Sequence, residues 1–163
     1  MKKVILIFVT IVLSGLLYAK DNKSTDALLR EIDGIIKNRQ TYGAEKEARI
    51  ADLKKLLAEA TSDEQRYGFC GRLFDEYRAY NLDSSFVYAQ RKEELAHRMD
   101  KLDYLDDAAM NMAEVMGTTG MYKEALELLG QIDKKTLPDY LYGYYYHLYR
   151  TCLLYTSPSP RDS

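Results

Sequence analysis

The stretch MNMAEVMGTTGMYKEALELLGQID, residues 110–133, decides the fold because it places two apolar patterns on either side of a turn. It predicts one helix from Asp103 to Met116, a stop at Thr118-Thr119-Gly120 and a second helix from Tyr122 to Ile132. Glycine favours such a stop because it adopts backbone conformations that are strained in other residues. The two helices are therefore predicted to pack together as a helical hairpin.

The segment before this hairpin also has helical periodicity. Apolar residues fall at helical spacing first at Leu28, Ile32, Ile35 and Ile36, and again at Ile50, Leu53, Leu56 and Leu57. Ser24, Thr25 and Asp26 can cap the first stretch. Because the pattern lapses between the two stretches, residues 20–61 are predicted to form one long helix with a weak point at Gly43. A hairpin that turns at Gly43 is the alternative.

Residues 62–150 contain further helix starts. Ser62 and Gln65 form a capping box, and Asp83 or Ser84 can cap the next helix. Pro138 begins a last helix through a cluster of tyrosines. No run rich in Val, Ile or Thr alternates as a strand would. The predicted fold class is therefore all-α, with helical-hairpin repeats preceded by a long N-terminal helix.

The hairpin quoted above resembles the tetratricopeptide repeat, a helix-turn-helix unit of about 34 residues. The residues that carry the resemblance are Met112, Ala113, Gly120, Tyr122, Ala125 and Leu129. The resemblance implies that Ala113 and Ala125 are small because the two helices cross there. The unit departs from the usual pattern at Ala109 and Met116, where larger aromatic residues are common.

Two neighbouring segments extend the resemblance over residues 62–150. The stretch LFDEYRAYNLDSSFVYAQRKEEL, residues 73–95, resembles a degenerate copy, with Ser85 at the small crossing position. The residues from Pro138 onward resemble the first helix of a third unit. The resemblance therefore implies a repeat array that is cut short, and we expect the chain to be a fragment.

The first residues have the order of a secretory leader. Lys2 and Lys3 precede an apolar run from Val4 to Ala19, and charged residues follow. This order predicts a signal peptide over residues 1–19 and export to the periplasm of a bacterial cell. An uncleaved N-terminal anchor is the alternative.

The last residues, TCLLYTSPSPRDS at 151–163, predict a disordered tail. The string resembles translated sequencing-adapter read-through and is therefore expected to be artefactual, with a native Pro- and Ser-rich tail as the alternative. A disulfide between Cys70 and Cys152 is possible, although the spacing around Cys70 predicts a buried thiol.

Composition and motifs argue against several functions. The net charge of −2 does not suit nucleic-acid binding. His97 and His147 have no Cys or carboxylate at metal-ligand spacing, and no phosphate-binding loop or nucleophile motif occurs. We therefore expect no cofactor, no metal and no enzymatic activity.

Repeats of this kind offer a groove that is lined by the first of the two helices in each repeat, which we call the first helices. The resemblance places Asp107, Met110 and Glu114 in that groove, and Tyr142, Tyr145 and Tyr146 are the candidates on the next helix. Such an acidic and aromatic surface suits an extended peptide or a partner helix with a basic or apolar stripe. The alternative is that Met110 and the tyrosines are buried against the neighbouring repeat that the shortened array lacks.

The order of leader, RQTYGAEKEARIADLKKLL (residues 39–57) and repeats resembles the N-terminal periplasmic region of bacterial membrane-anchored regulators that have a C-terminal domain of unknown function. This resemblance implies a sensor region that binds protein or peptide, with membrane contact only through the leader or a downstream span. The full-length protein would then be anchored in the inner membrane. A free periplasmic binding or assembly factor is the alternative.

Overall fold

The computed structural model describes residues 25–156, which form seven helices and no strand. The predicted all-α class is therefore confirmed. The chain divides into two compact units, residues 1–47 and 48–163. The predicted signal peptide, the Ser24 cap and residues 157–163 lie outside the described residues.

The N-terminal unit contains α1, residues 25–37, and the start of α2, Arg39–Glu59. A turn at Asn38 separates them, yet its N–H donates to the Gly34 carbonyl at 3.2 Å and its carbonyl accepts from the Tyr42 N–H at 3.1 Å. Gly43 lies within α2, so the alternative of a hairpin that turns there is wrong, and the interruption of the helix falls at Asn38 instead of at the predicted weak point. One glycine costs a helix about 1 kcal/mol, and the Ala44, Glu45 and Lys46 that follow favour helix. Asparagine at 38 instead competes with helical hydrogen bonding.

The second unit stacks five helices after the remainder of α2. They are α3 (Asp63–Tyr77), α4 (Leu82–Met99), α5 (Leu102–Thr118), α6 (Tyr122–Leu129) and α7 (Asp139–Thr156). Each packs against the next in sequence, and α5 also packs against α7. Two hairpins, α3–α4 and α5–α6, are thus followed by α7, which takes the place of the first helix of a third hairpin.

Local chemistry explains where these helices begin. The Gln65 N–H donates to Ser62 Oγ at 3.2 Å, as in a capping box, but Gln65 Oε1 accepts from the Thr61 N–H at 2.9 Å instead of from the N–H of Ser62. The cap of α4 is Asn81, whose side chain accepts from the Ser84 N–H at 2.9 Å, so the prediction of Asp83 or Ser84 is wrong. Asn81 has the extended backbone that a cap requires.

The turn between α5 and α6 depends on Gly120, whose φ is +85°. In the helix pair that it joins, Ala113 and Ala125 have no exposed surface, and Leu129 packs with them in one apolar cluster. Tyr122 packs at the edge of this cluster. Met112 points elsewhere, into the cluster formed with α3 and α4. Ser85 is also fully buried, and its hydroxyl donates to the Leu82 carbonyl at 2.8 Å.

The tail prediction needs a correction at its start, because residues 151–156 continue α7 as helix. Cys152 is 2% exposed and packs in the α5–α6–α7 cluster, whereas Cys70 is buried in the other cluster, and both thiols are free. The possible disulfide is therefore not formed. The apolar Leu153 and Leu154 are compatible with helix, whereas the Pro- and Ser-rich residues begin only at Ser157. Within residues 25–156 no helix is long and apolar enough to cross a membrane.

Candidate protein-interaction site

The first helices α3, α5 and α7 place polar side chains on a shared face. Asp107, Asn111 and Glu114 lie at i, i+4 and i+7 on α5, a spacing that puts side chains on one side of a helix. We define the polar cluster as these three residues together with Tyr67, Arg78, Lys92 and Tyr144, which they contact.

Lys92 lies at the centre of the polar cluster although it belongs to α4. It is 4% exposed, and its ammonium donates to Asp107 Oδ2 at 2.7 Å and to Asn111 Oδ1. The ammonium also lies 4.8 Å from the centre of the Tyr67 ring. A buried charge is costly unless it is paired and hydrogen-bonded, so these contacts explain how α4 tolerates it.

One end of the polar cluster joins α3 to α5 through Tyr67. Its hydroxyl donates to Asp107 Oδ2 at 2.6 Å, and its ring stacks on Tyr104 with 4.4 Å between ring centres. Burial raises the pKa of Tyr67, and the neighbouring Asp107 carboxylate raises it further. The phenol therefore stays protonated and remains a donor to Asp107.

The other end joins α3, α5 and α7 through Glu114. Arg78 Nη1 lies 3.2 and 3.3 Å from the two Glu114 carboxylate oxygens, and the Tyr144 hydroxyl donates to the same carboxylate. Asn111 Nδ2 donates to the Tyr144 hydroxyl at 3.1 Å, which connects both ends. Burial raises the pKa of Tyr144, and Glu114 adds to the effect. Four helices are thus joined by one hydrogen-bonded network.

A cavity of about 300 Å³ adjoins the network. Asp75, Phe74 and Gly71 of α3 line it together with part of the polar cluster. The Asp75 carboxylate is largely exposed and has only a long contact, 3.6 Å, with Arg78. The cavity therefore offers an accessible carboxylate beside an aromatic wall, which is chemistry for binding rather than for covalent reaction.

The structure brings together only part of the predicted groove. Asp107 and Glu114 belong to the polar cluster, but the placement of Met110 in the groove is wrong, because Met110 has no exposed surface and packs in the core with Ala113 and Ala125. The neighbouring position, Asn111, faces the cluster instead. Its spacing from Asp107 and Glu114 is the sequence signal that could have identified it.

The tyrosines predicted for the groove lie toward α6. Tyr145 has no exposed surface and its hydroxyl donates to the Leu129 carbonyl at 3.3 Å, so its groove placement is wrong. The Tyr142 hydroxyl donates to the Lys134 carbonyl at 2.5 Å, and Tyr146 is exposed and packs edge-on against Tyr145. Tyr144 is the tyrosine that reaches the polar cluster.

The part of the chain that the structure describes has no group of side chains that could bind a metal ion. Residues 25–156 contain no group of three or more His, Cys, Asp or Glu side chains placed to hold a metal ion. His97 and His147 are both exposed. The polar cluster remains as the candidate site.

Comparison with known proteins identifies the family. Residues 36–161 match the family described as the SusR N-terminal TPR domain. No curated protein and no solved structure matches the chain. TPR domains generally are non-catalytic scaffolds that mediate protein–protein interactions, and a shared face of first helices agrees with that role. Because the match covers most of the sequence, this chain belongs to the SusR N-terminal TPR domain family.

Proposed function

We propose that this chain is the periplasmic sensor region of a membrane-anchored bacterial regulator, and that it binds a protein or peptide on the face of its first helices. The family match is the observation that carries the proposal, because the matched family is described as an N-terminal domain of SusR. An N-terminal position is what a sensor region followed by a membrane span and an output domain would have.

The leader supports the location. A basic start followed by an apolar run is the order of an export signal. In the proposed arrangement, export puts the repeats in the periplasm and a downstream span anchors the full-length protein in the inner membrane.

The charge of the first-helix face supports the partner chemistry. Asp75 is largely exposed beside the cavity, and Asp103 is half-buried near Tyr140, which is 69% exposed. Arg78 and Lys92 are already paired with Glu114 and Asp107. The acidic and aromatic groups that are left suit a partner with a basic or apolar stripe.

Two experiments test the location and the architecture. Alkaline phosphatase fused after residue 150 should be active in cells, and inactivity of this fusion together with activity of a cytoplasmic reporter at the same point would contradict export. The intact gene should continue into a second apolar span of about 20 residues and a further domain. A gene that ends after one or two more repeats would support the alternative, a free periplasmic binding or assembly factor.

A further inference from the structure

A second cavity, of about 290 Å³, lies between α2, α3 and α4 and contains three arginines. Arg91 and Arg98 come from α4, and Arg66 comes from α3. The floor between them is apolar and consists of Leu57, Cys70 and Leu95, of which only Leu57 is partly exposed. None of these residues belongs to the polar cluster.

Two of the arginines are held by one carboxylate. Arg66 Nη1 lies 3.0 Å from Asp63 Oδ1, and Arg98 Nε lies 3.0 Å from Asp63 Oδ2. The hydrogen bond from Arg98, followed by the one from Arg66, lowers the pKa of Asp63. Asp63 therefore remains charged and orients both guanidinium groups, but it neutralises only one of them.

The third arginine, Arg91, is in none of the ion pairs that form among residues 25–156. Its guanidinium lies 5.5 Å from the centre of the Tyr88 ring. Glu94 also lines the cavity. With Asp63 and Glu94 counted against the three arginines, the site keeps one excess positive charge.

We propose that this cavity binds a small organic carboxylate with an apolar body, which Arg91 holds by its carboxylate and whose apolar part covers the exposed part of Leu57. Arginine suits the role because its planar fork matches a carboxylate with two parallel hydrogen bonds. The Tyr88 ring and Asp63 fix the arginines before the ligand arrives, which lowers the cost of ordering them. An inorganic anion would leave the exposed part of Leu57 in contact with water and is the poorer fit. The volume is near the lower end for small-molecule sites, so the ligand is of the size of a medium-chain or aryl acid.

Calorimetric titration of the full chain with octanoate tests the proposal. Octanoate should bind saturably and more weakly as salt rises, whereas octylammonium and inorganic phosphate should not bind. Arg91→Gln should weaken binding by roughly tenfold or more, since a hydrogen bond to a charged group is lost. Glu94→Gln should strengthen it by a few-fold, and Lys123→Gln, far along the chain in α6, is the matched control that should change nothing.

A second titration, with a peptide, distinguishes a free organic acid from the C-terminus of a polypeptide as the source of the carboxylate. A short peptide ending in leucine, offered with a free and with an amidated C-terminus, shows whether a polypeptide end is preferred over a free acid. Binding of either acid that needs both the carboxylate and Arg91 supports the site. Failure of both acids to bind, equal binding of octylammonium or phosphate, or an Arg91→Gln variant that binds as well as the wild type overturns it. Circular dichroism melts of each variant separate loss of binding from loss of folding.

Discussion

Replacing Lys92 by methionine removes the charge at the centre of the polar cluster while keeping most of the length of the side chain. Asp107 and Asn111 then lose the ammonium that they share. Breaking a buried ion pair on one side costs about 3–5 kcal/mol. Asp107 is 25% exposed and keeps its hydrogen bond from Tyr67, so we expect a smaller loss in the free energy of unfolding, about 2–3 kcal/mol.

Urea unfolding followed by circular dichroism measures this loss, with the slope of the transition checked for a change in the unfolded state. The double variant Lys92→Met with Asp107→Leu should recover at least about 1 kcal/mol of it, because no unpaired charge remains. Lys123→Met, at an exposed position, should change nothing measurable. Two results would refute the view that the network holds four helices together. One is a Lys92→Met variant as stable as the wild type. The other is a double variant that loses as much free energy of unfolding as Lys92→Met and Asp107→Leu lose when their separate losses are added.

Three further changes probe the repeat packing and one ion-pair network. Ala125→Leu should cost about 1–3 kcal/mol in urea unfolding because it overpacks the α5–α6 crossing, and unchanged stability would mean that the crossing is loose. Gly120→Ala should cost about 1 kcal/mol in the same assay because φ there is +85°, and a stabilised variant would contradict that backbone. Arg98 and Arg66 lower the pKa of Asp63 from its ordinary value of 3.8. The ion pairs of Asp63 therefore stabilise the fold above pH 3.8, and this stabilisation is lost as the pH falls through the lowered pKa of the folded state. Asp63→Asn should therefore reduce the difference between the urea midpoints at pH 7 and pH 3, relative to the wild type. An unchanged difference would count against the ion pairs of Asp63 with Arg66 and Arg98.

The fold was predictable because its main signals are local. The Ser62 cap with Gln65 acts within the α3–α4 hairpin. The turn at Gly120 and the small residues Ala113 and Ala125 act within the α5–α6 hairpin. Inside each hairpin, spacing along the sequence determines which side chains meet. The start of α4 was missed because several capping residues stand in a row, and only the extended backbone of Asn81 distinguishes it.

The candidate site was less predictable because its contacts cross between helices. Lys92 is flanked by charged residues that suggest a solvated face, and only the packing of α4 against α5 reveals that it is buried. The tyrosine run in α7 offers an aromatic side chain at almost every position, so periodicity could not choose Tyr144 over its neighbours. Met110 and Asn111 differ by one position, which on a helix turns one buried side chain into the apolar core and the other into the polar cluster.

The central claim is that partners bind on the face formed by the first helices. Site-specific photo-crosslinking in cells tests it most directly, with the photoreactive residue placed at Tyr140 beside the polar cluster or at Lys123 on α6. Crosslinks to a partner protein should form from Tyr140 and disappear when Asp75 and Asp103 are changed to lysine, while Lys123 gives none. Crosslinks that form from Lys123 but not from Tyr140, or that persist after both charge reversals, would contradict the claim.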